Sequence, residues 1–343
     1  MSGRETMDAP ARREPPSTLG GRGWVPRGYD HRAEVTAGRI WSRCGYRSEV
    51  APLRAVSLAR PPESFAAVTD PQAHLMDAAV DLGRLRAQTD ALVATYRAHG
   101  VTVRLAEPPA HCPPNAVFQR DLFLVTPEGA VLGRTASAQR AGEERYAAVA
   151  LAGAGIPILH TVRGGATFEG ADALWVDDRT LLVGSGFRTN GAGVRAVREV
   201  LREQGAEVVP VPLGPGVQHL LGAFVPVDHR RALVYAPAAG DRLGEVLRAR
   251  GYEVLEFGPD EEVVQRRSLN LVTLAPGRVL MPAGCPHTRR RLEAAGIEVA
   301  EAEVDEYVKA AGALGCLTGI LHRATDEEWA TGTTEGTGST KGR

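Results

Sequence analysis

Five times along this chain an amphipathic helical stretch stops at a small or polar residue plus glycine, and a short β-prone run begins directly after it. The five are Gly100 before Val101-Thr102-Val103, Gly155 before Ile156-Pro157-Ile158-Leu159, Gly205 before Ala206-Glu207-Val208-Val209, Gly251 before Tyr252-Glu253-Val254-Leu255, and Gly296 before Ile297-Glu298-Val299-Ala300. Successive glycines lie 55, 50, 46 and 45 residues apart. Glycine suits a left-handed helix stop, since it takes positive φ without a Cβ clash. A second β-prone run precedes each helix: Ala55–Leu58, Ala130–Gly133, Thr180–Val183, Ala232–Tyr235 and Arg278–Met281. Often one more strand lies in front, so each unit reads ββαβ. A period of this length implies a repeat architecture. Five units with no obvious capping repeats favour radial closure around a central channel.

Closure also accounts for length, because 343 residues exceed what one core usually spans without repeats. Residues 1–34, rich in Arg, Pro and Gly, are expected to be a flexible leader. The alternative is an arm docking on a partner subunit of a homo-oligomer. Residues 35–326 form the single α/β body, and 327–343, rich in Thr and Gly, are expected to be a disordered tail. A net charge of −1 argues against a nucleic-acid or membrane-surface protein, which would need a basic excess. Cys44, Cys112, Cys285 and Cys316 are scattered, with no CxxC pair and no Cys/His spacing suited to a metal. That pattern suits reduced cytosolic thiols. No apolar run approaches the roughly 18 residues that cross a bilayer, and the amino terminus has no apolar signal core. The expectation is a soluble, cytoplasmic protein.

In a closed ring, functional groups belong where the units converge on the axis, in the segments joining one unit's last strand to the next unit's first. Four such segments carry polar residues in apolar surroundings. In Pro114–Leu124, Asn115 and Asp121 interrupt what reads as a strand. A carboxylate there must be paired or functional, because burying it alone is costly. Pairing with Arg120 is disfavoured if the stretch is extended, since strand neighbours point to opposite faces. In Thr167–Trp175, Glu169 and Asp172 flank a flexible Gly170-Ala171 dipeptide, suiting cation binding or acid–base work as well as a solvated turn. In Val217–Phe224, His219 opens an apolar run, where a structural histidine is the commoner outcome. In Ala313–Leu321, Cys316 sits between small residues, where burial as core filler competes with a nucleophile's role.

Together these segments resemble the guanidino-group-modifying superfamily of arginine deiminases, dimethylarginine dimethylaminohydrolases and amidinotransferases. Asn115, Phe118, Arg120 and Asp121 match the deiminase pattern Asn-x-x-Phe-x-Arg-Asp, and Glu169-Gly170-Ala171-Asp172 resembles Glu-Gly-Gly-Asp. Arg188-Thr189-Asn190, His219-Leu220 and Cys316 resemble later motifs in the same order, over residues 50–323. The resemblance implies a five-bladed α/β propeller with Cys316 as nucleophile and His219 as acid and base. Asp121 and Glu169 would hold a guanidinium, with Asp172 beside them. Arg140 and Arg188, each 19 residues after one of those acids, would grip a substrate carboxylate with help from Asn115. Neither metal nor cofactor is required, and the partner is a small guanidino compound. Deiminases and amidinotransferases carry Asp two residues after the catalytic His, whereas this chain has Leu221. Dimethylarginine hydrolases also lack that Asp, and an apolar wall there suits a substituted guanidino nitrogen. The resemblance implies a hydrolase giving a citrulline-like product. The alternatives are an amidinotransferase and a non-catalytic ligand-binding propeller.

Overall fold

The computed structural model describes residues 14–325 and Glu328. Its strands are β1 (Leu53–Ala59), β2 (Thr102–Ala106), β3 (Phe123–Thr126), β4 (Gly129–Leu132), β5 (Ile158–Thr161), β6 (Ala173–Trp175), β7 (Thr180–Ser185) and β8 (Glu207–Pro212). Then come β9 (Phe224–Pro226), β10 (Arg231–Tyr235), β11 (Glu253–Phe257), β12 (Val272–Ala275), β13 (Arg278–Pro282), β14 (Glu298–Ala302) and β15 (Gly319–Arg323). They form five three-stranded sheets among the described residues, the blades of an α/β propeller. In blades two to five the middle strand pairs antiparallel with the strand before it and parallel with the strand after its helix. Blade one is completed from the far end of the chain: β15 lies antiparallel to β1, with Val56 opposite Ile320. Pairing between the first and last strands ties the ring shut.

The middle strands are continuous apolar runs because both faces are covered, as expected for strands flanked by crossover helices. Val131, Leu182, Leu233 and Leu280, one from each of four middle strands, are all at most 1 % exposed. The helix Gly191–Glu203 shows how the connecting helices are specified. Asn190 caps it by accepting from the Ala192 and Gly193 amides, and Val194, Val197 and Leu201 bury one face. It ends with the Gly205 amide donating to Arg202 and the Ala206 amide to Leu201. The same pair of bonds recurs at Gly100, Gly155, Gly251 and Gly296, each glycine having φ between 73° and 80°. Five identical helix stops, each joining a buried apolar residue to the run after the glycine, are the physical content of the repeat.

A small apolar cluster joins the amino-terminal region to blade two, with Val35 and Cys44 against Leu122, Val125 and Leu151. The helix His31–Ala37 spans position 34, where the sequence suggests the leader ends, and buries Glu34 and Val35. His31 Nε2 lies 2.7 Å from the Glu128 carbonyl. Residues 1–13 of the leader, and all of the tail except Glu328, lie outside the described residues. No helix among the described residues is long and apolar enough to cross a membrane.

Candidate active site

Each blade junction ends in a tight turn just before the blade's first strand. Asp121 lies in the single helical turn Gln119–Leu122, directly ahead of β3. Glu169 precedes the 3-10 turn Gly170–Asp172 ahead of β6, His219 precedes Leu220–Gly222 ahead of β9, and Cys316 lies in Leu314–Leu317 ahead of β15. The Cys316 turn touches the Asp121 turn, which touches the Asp172 turn, which touches the His219 turn. Residues far apart in sequence therefore meet at the axis.

Two local expectations are corrected. Asn115 and Asp121 do not interrupt a strand: Pro114–Val117 and Gln119–Leu122 are helical, and the strand starts at Phe123. These turns are buried on every side, so they lack the alternation that would mark them. Arg120 does turn away from Asp121, and it pairs with Glu49 at 3.1 Å. The Gly170-Ala171 dipeptide is rigid rather than flexible. A Cβ at Gly170 would lie 2.2 Å from the Phe123 carbonyl oxygen, so glycine there permits a close backbone crossing. Ala171 is fully buried in the apolar cluster with Leu174 and Leu182, which accommodates its methyl group.

The four acids Asp121, Glu143, Glu169 and Asp172 are buried around three basic side chains. His219 Nε2 is 2.7 Å from Glu169, and its Nδ1 is 3.9 Å from Asp121 Oδ1. Arg188 reaches Glu169 at 3.2 Å. Arg140 binds Asp121 at 2.6 Å and Glu143 through Nε at 3.1 Å and Nη2 at 2.9 Å, with Glu169 at 3.5 Å. Both edges of the Arg140 guanidinium are thus engaged by acids of the chain itself. Arg188 keeps donors without such partners and lies at the edge of the site. Asp172 Oδ1 accepts the Leu220 amide at 2.9 Å, anchoring the turn that carries His219.

Burial acts on every group here, and neighbouring charge overrides it at Glu169 and His219 but not at Asp172. Burial alone would raise Glu169, but the His219 hydrogen bond and the charges of His219, Arg140 and Arg188 hold it well below the usual carboxylate range. Burial would lower His219, but Asp121 and Glu169 raise it overall, favouring imidazolium. Burial pushes Asp172 up to about 6 despite the nearby His219. Cys316, half-buried, is raised by burial and by the Asp121 charge, so the resting group is a thiol.

Cys316 is held by a residue that the sequence reading passed over. Asn270 Nδ2 donates to Cys316 Sγ at 3.1 Å, and Asn270 Oδ1 accepts the Cys316 amide at 3.1 Å. Asn270 stands two residues before β12, in the junction between blades four and five. The five-fold repeat itself was the signal, since the other four junctions each present a polar group at that place. Glu143 was also missed; it closes a β-turn begun at Arg140, its amide donating to the Arg140 carbonyl across Ala141 and Gly142, with Gly142 at φ 93°.

Asp121, Glu169 and His219 could each present one ligand atom to a cation, all within 4.8 Å of one another. The same carboxylates already bind two guanidinium groups, so a planar cation that donates hydrogen bonds suits the place better than a bare ion. Two of the site's buried acceptors, Asp121 Oδ1 and Asn115 Oδ1, have no hydrogen-bond partner. Asn115 meanwhile donates through Nδ2 to the His74 carbonyl at 2.7 Å. A narrow gap of about 10 Å³ runs beside Asn115, Asp121, Arg140, Arg188 and Cys316. Beyond Cys316 and His219 a wider cleft of about 520 Å³ opens, with Leu221 in its wall.

The family model for arginine deiminase matches residues 75–213. An N(G),N(G)-dimethylarginine dimethylaminohydrolase of Streptomyces coelicolor is 30% identical over 254 residues, covering 74% of this chain and 92% of that protein. The N-terminal domain of ArgZ, a cyanobacterial arginine dihydrolase solved with its product, superposes with a TM-score of 0.67 at 25% identity, over 77% of this chain and 96% of that one. A Pseudomonas aeruginosa dimethylarginine dimethylaminohydrolase variant complexed with citrulline has the same fold, with a TM-score of 0.66 at 22% identity over 79% of this chain and 100% of that one. The chain belongs to the guanidino-group-modifying (pentein) superfamily, among the relatives of the N(G),N(G)-dimethylarginine dimethylaminohydrolases.

Proposed function

We propose that this chain hydrolyses the guanidino group of arginine or a substituted arginine, with Cys316 as nucleophile. The observation that carries the reading is the pair of unpartnered buried acceptors, Asp121 Oδ1 and Asn115 Oδ1, beside the gap that Cys316 also borders. A buried acceptor without a donor costs about 1–3 kcal/mol, and a guanidinium, which only donates, would satisfy both. Asp121 and Glu169 orient the cation, and Arg188 takes the substrate's carboxylate. Arg140, spent on Asp121 and Glu143, organises the acids instead of gripping substrate. Asn115 positions the substrate, and Asp172 acts through the His219 turn.

The resting thiol releases its proton to solvent as the bound cation stabilises the thiolate, His219 remaining protonated. Sγ attacks the central guanidino carbon, the C–N bond to the leaving nitrogen breaks, and His219 gives that nitrogen a proton. The intermediate is a thiouronium on Cys316. His219, now neutral, takes a proton from water, the new C–O bond forms, and the C–S bond breaks. The products are a ureido amino acid and an amine or ammonia. The family relationship to proteins named for dimethylarginine and arginine hydrolysis supports this substrate class.

The test is mass spectrometry of products from L-arginine and Nω,Nω-dimethyl-L-arginine. The expected result is citrulline with equimolar ammonia or dimethylamine, and none from Cys316→Ser. Turnover that survives Cys316→Ser overturns the mechanism, and no turnover of either compound overturns the substrate class.

A further inference from the structure

A separate cavity lies on the propeller axis. Its wall takes Arg120 from the turn before β3, Leu174 from β6, Val225 from β9, Val272 from β12 and Arg323 from β15, so all five blades contribute. Asp121, Glu169, His219 and Cys316 are not among its lining residues, which sets it apart from the candidate active site. It measures about 20 Å³, and about 10–15 Å³ suffices for one water-sized body.

Two guanidinium groups line this cavity against one carboxylate, Glu49, among the described residues. Glu49 is already engaged, accepting from Arg120 at 3.1 Å and from the Trp175 amide at 3.3 Å. Asp121, next to Arg120 in sequence, binds Arg140 instead. Arg323 is 2 % exposed and donates through Nη1 to neutral acceptors, the carbonyls of Ala51 at 2.7 Å and Thr273 at 2.8 Å. Nε of Arg120 and Nε of Arg323 are both buried without a hydrogen-bond partner. Burial holds the nearby Tyr46 and Tyr96 phenols neutral, so neither supplies a negative charge. Burial also pulls Arg323 down to about 10; Arg120 adds to the fall, and Glu49 only partly offsets it. At neutral pH the cluster therefore holds one positive charge more than negative, and an uncompensated buried charge is costly.

We propose that a single monatomic anion, chloride or another halide, occupies this axial cavity and accepts hydrogen bonds from Nε of Arg120 and Nε of Arg323. One negative charge closes the balance, and one acceptor on the axis satisfies both orphan donors. The volume excludes a carboxylate, sulfate or phosphate group. A water molecule fits, but it leaves the excess charge uncompensated. Arg120 also donates to the Ala173 carbonyl of β6, while Arg323 joins the approach to β1 with β12. The ion thus ties blades one, two, three and five together from inside the ring. This inference is independent of the hydrolase reading.

The test compares thermal melts of the full chain in sodium chloride and in sodium sulfate at equal ionic strength. Sulfate strengthens burial generally, so a gain in chloride over sulfate runs against the general salt effect. Tm should rise by roughly 2–3 °C for each tenfold increase in chloride, and bromide should substitute for it. In crystals grown from sodium bromide, anomalous scattering should show a peak within hydrogen-bonding distance of both Nε atoms. Arg323→Gln removes the excess charge and should abolish the chloride dependence; if that variant does not fold, the two measurements on the parent decide alone. Neither a chloride gain nor a bromide peak means that the cavity holds water only, and overturns the proposal. A bromide peak without chloride-dependent stability is binding at crystal concentration only, and overturns it too. A chloride gain that lacks the axial peak, or that survives Arg323→Gln, places the anion elsewhere and equally overturns it.

Discussion

Replacing Asn270 by alanine removes both hydrogen bonds that hold Cys316, from Nδ2 to Sγ and from the Cys316 amide to Oδ1, each 3.1 Å long. The first matters more to the thiolate than to the thiol. A hydrogen bond to a charged acceptor contributes about 1.5–3 kcal/mol, and one to a neutral acceptor about 0.5–1.5 kcal/mol. The difference, about 1.4 kcal/mol, is a factor of about ten in the thiol–thiolate equilibrium. Asn270 lowers the Cys316 ionisation against burial and against Asp121, so its loss raises it further. At any pH below that ionisation, alkylation of Cys316 should slow about tenfold. The assay is iodoacetamide labelling across a pH series, with Cys316 followed by peptide mass spectrometry. The other thiols are internal controls: burial pushes Cys44 and Cys112 up to about 12 and Cys285 up to about 11, so they should stay unlabelled in both proteins. An Asn270→Ala labelling curve that overlays the parent's would refute the claim that Asn270 tunes the nucleophile.

Asp121→Ala should raise KM at least tenfold with a smaller effect on kcat, because it removes an orienting acceptor and leaves Cys316 and His219 in place; steady-state kinetics separate the two. Leu221→Asp should turn preference from substituted guanidines toward plain arginine, measured as a ratio of kcat/KM values, since it places a charge partner in the apolar wall beside Gly315. Asp172→Asn keeps an acceptor for the Leu220 amide but removes an acid that burial raises from 3.8 to about 6. The folded state of the parent binds this proton more tightly than the unfolded state does, so stability is fully present below about 3.8 and is lost as pH rises through about 6. The loss amounts to about 3 kcal/mol. Thermal melts at pH 4 and pH 7.5 should therefore differ less for Asp172→Asn than for the parent.

The propeller was legible because its repeat is local. A helix, a glycine at positive φ and a β-prone run lie within a few residues, and all five glycines close the same pair of bonds. Four of the five axial junctions were legible too, through acids, a histidine and a cysteine standing out in apolar runs. The fifth was not, because Asn270 in Ser268-Leu269-Asn270 carries no charge and looks like an ordinary turn residue. What stayed hidden depends on partners distant in sequence. Gly170 is rigid because the Phe123 carbonyl crosses it. The turn holding Asp121 read as a strand because packing on every side removed its periodicity. The inward turn of Arg140 follows from Glu143, which the β-turn through Ala141 and Gly142 brings back against it.

That inward turn sets the charge of the site. Asp121, Glu143, Glu169 and Asp172 face Arg140, Arg188 and His219, all buried. Counted fully ionised, the acids exceed the bases by a single charge, and one bound guanidinium closes the difference. Without Arg140 the excess would be two, and the acids would be driven to share protons instead of holding a ligand. With it, Asp121 keeps Oδ1 free of any hydrogen-bond partner while Oδ2 is held at 2.6 Å. The cation that fills this place also offsets the Asp121 charge, which otherwise raises the Cys316 thiol. In the proposed reaction, binding and ionisation of Cys316 are therefore coupled through one carboxylate. In that reaction the thiol would stay protonated until a guanidinium arrives, which would protect a half-buried cysteine from adventitious oxidation and reserve its reactivity for the substrate.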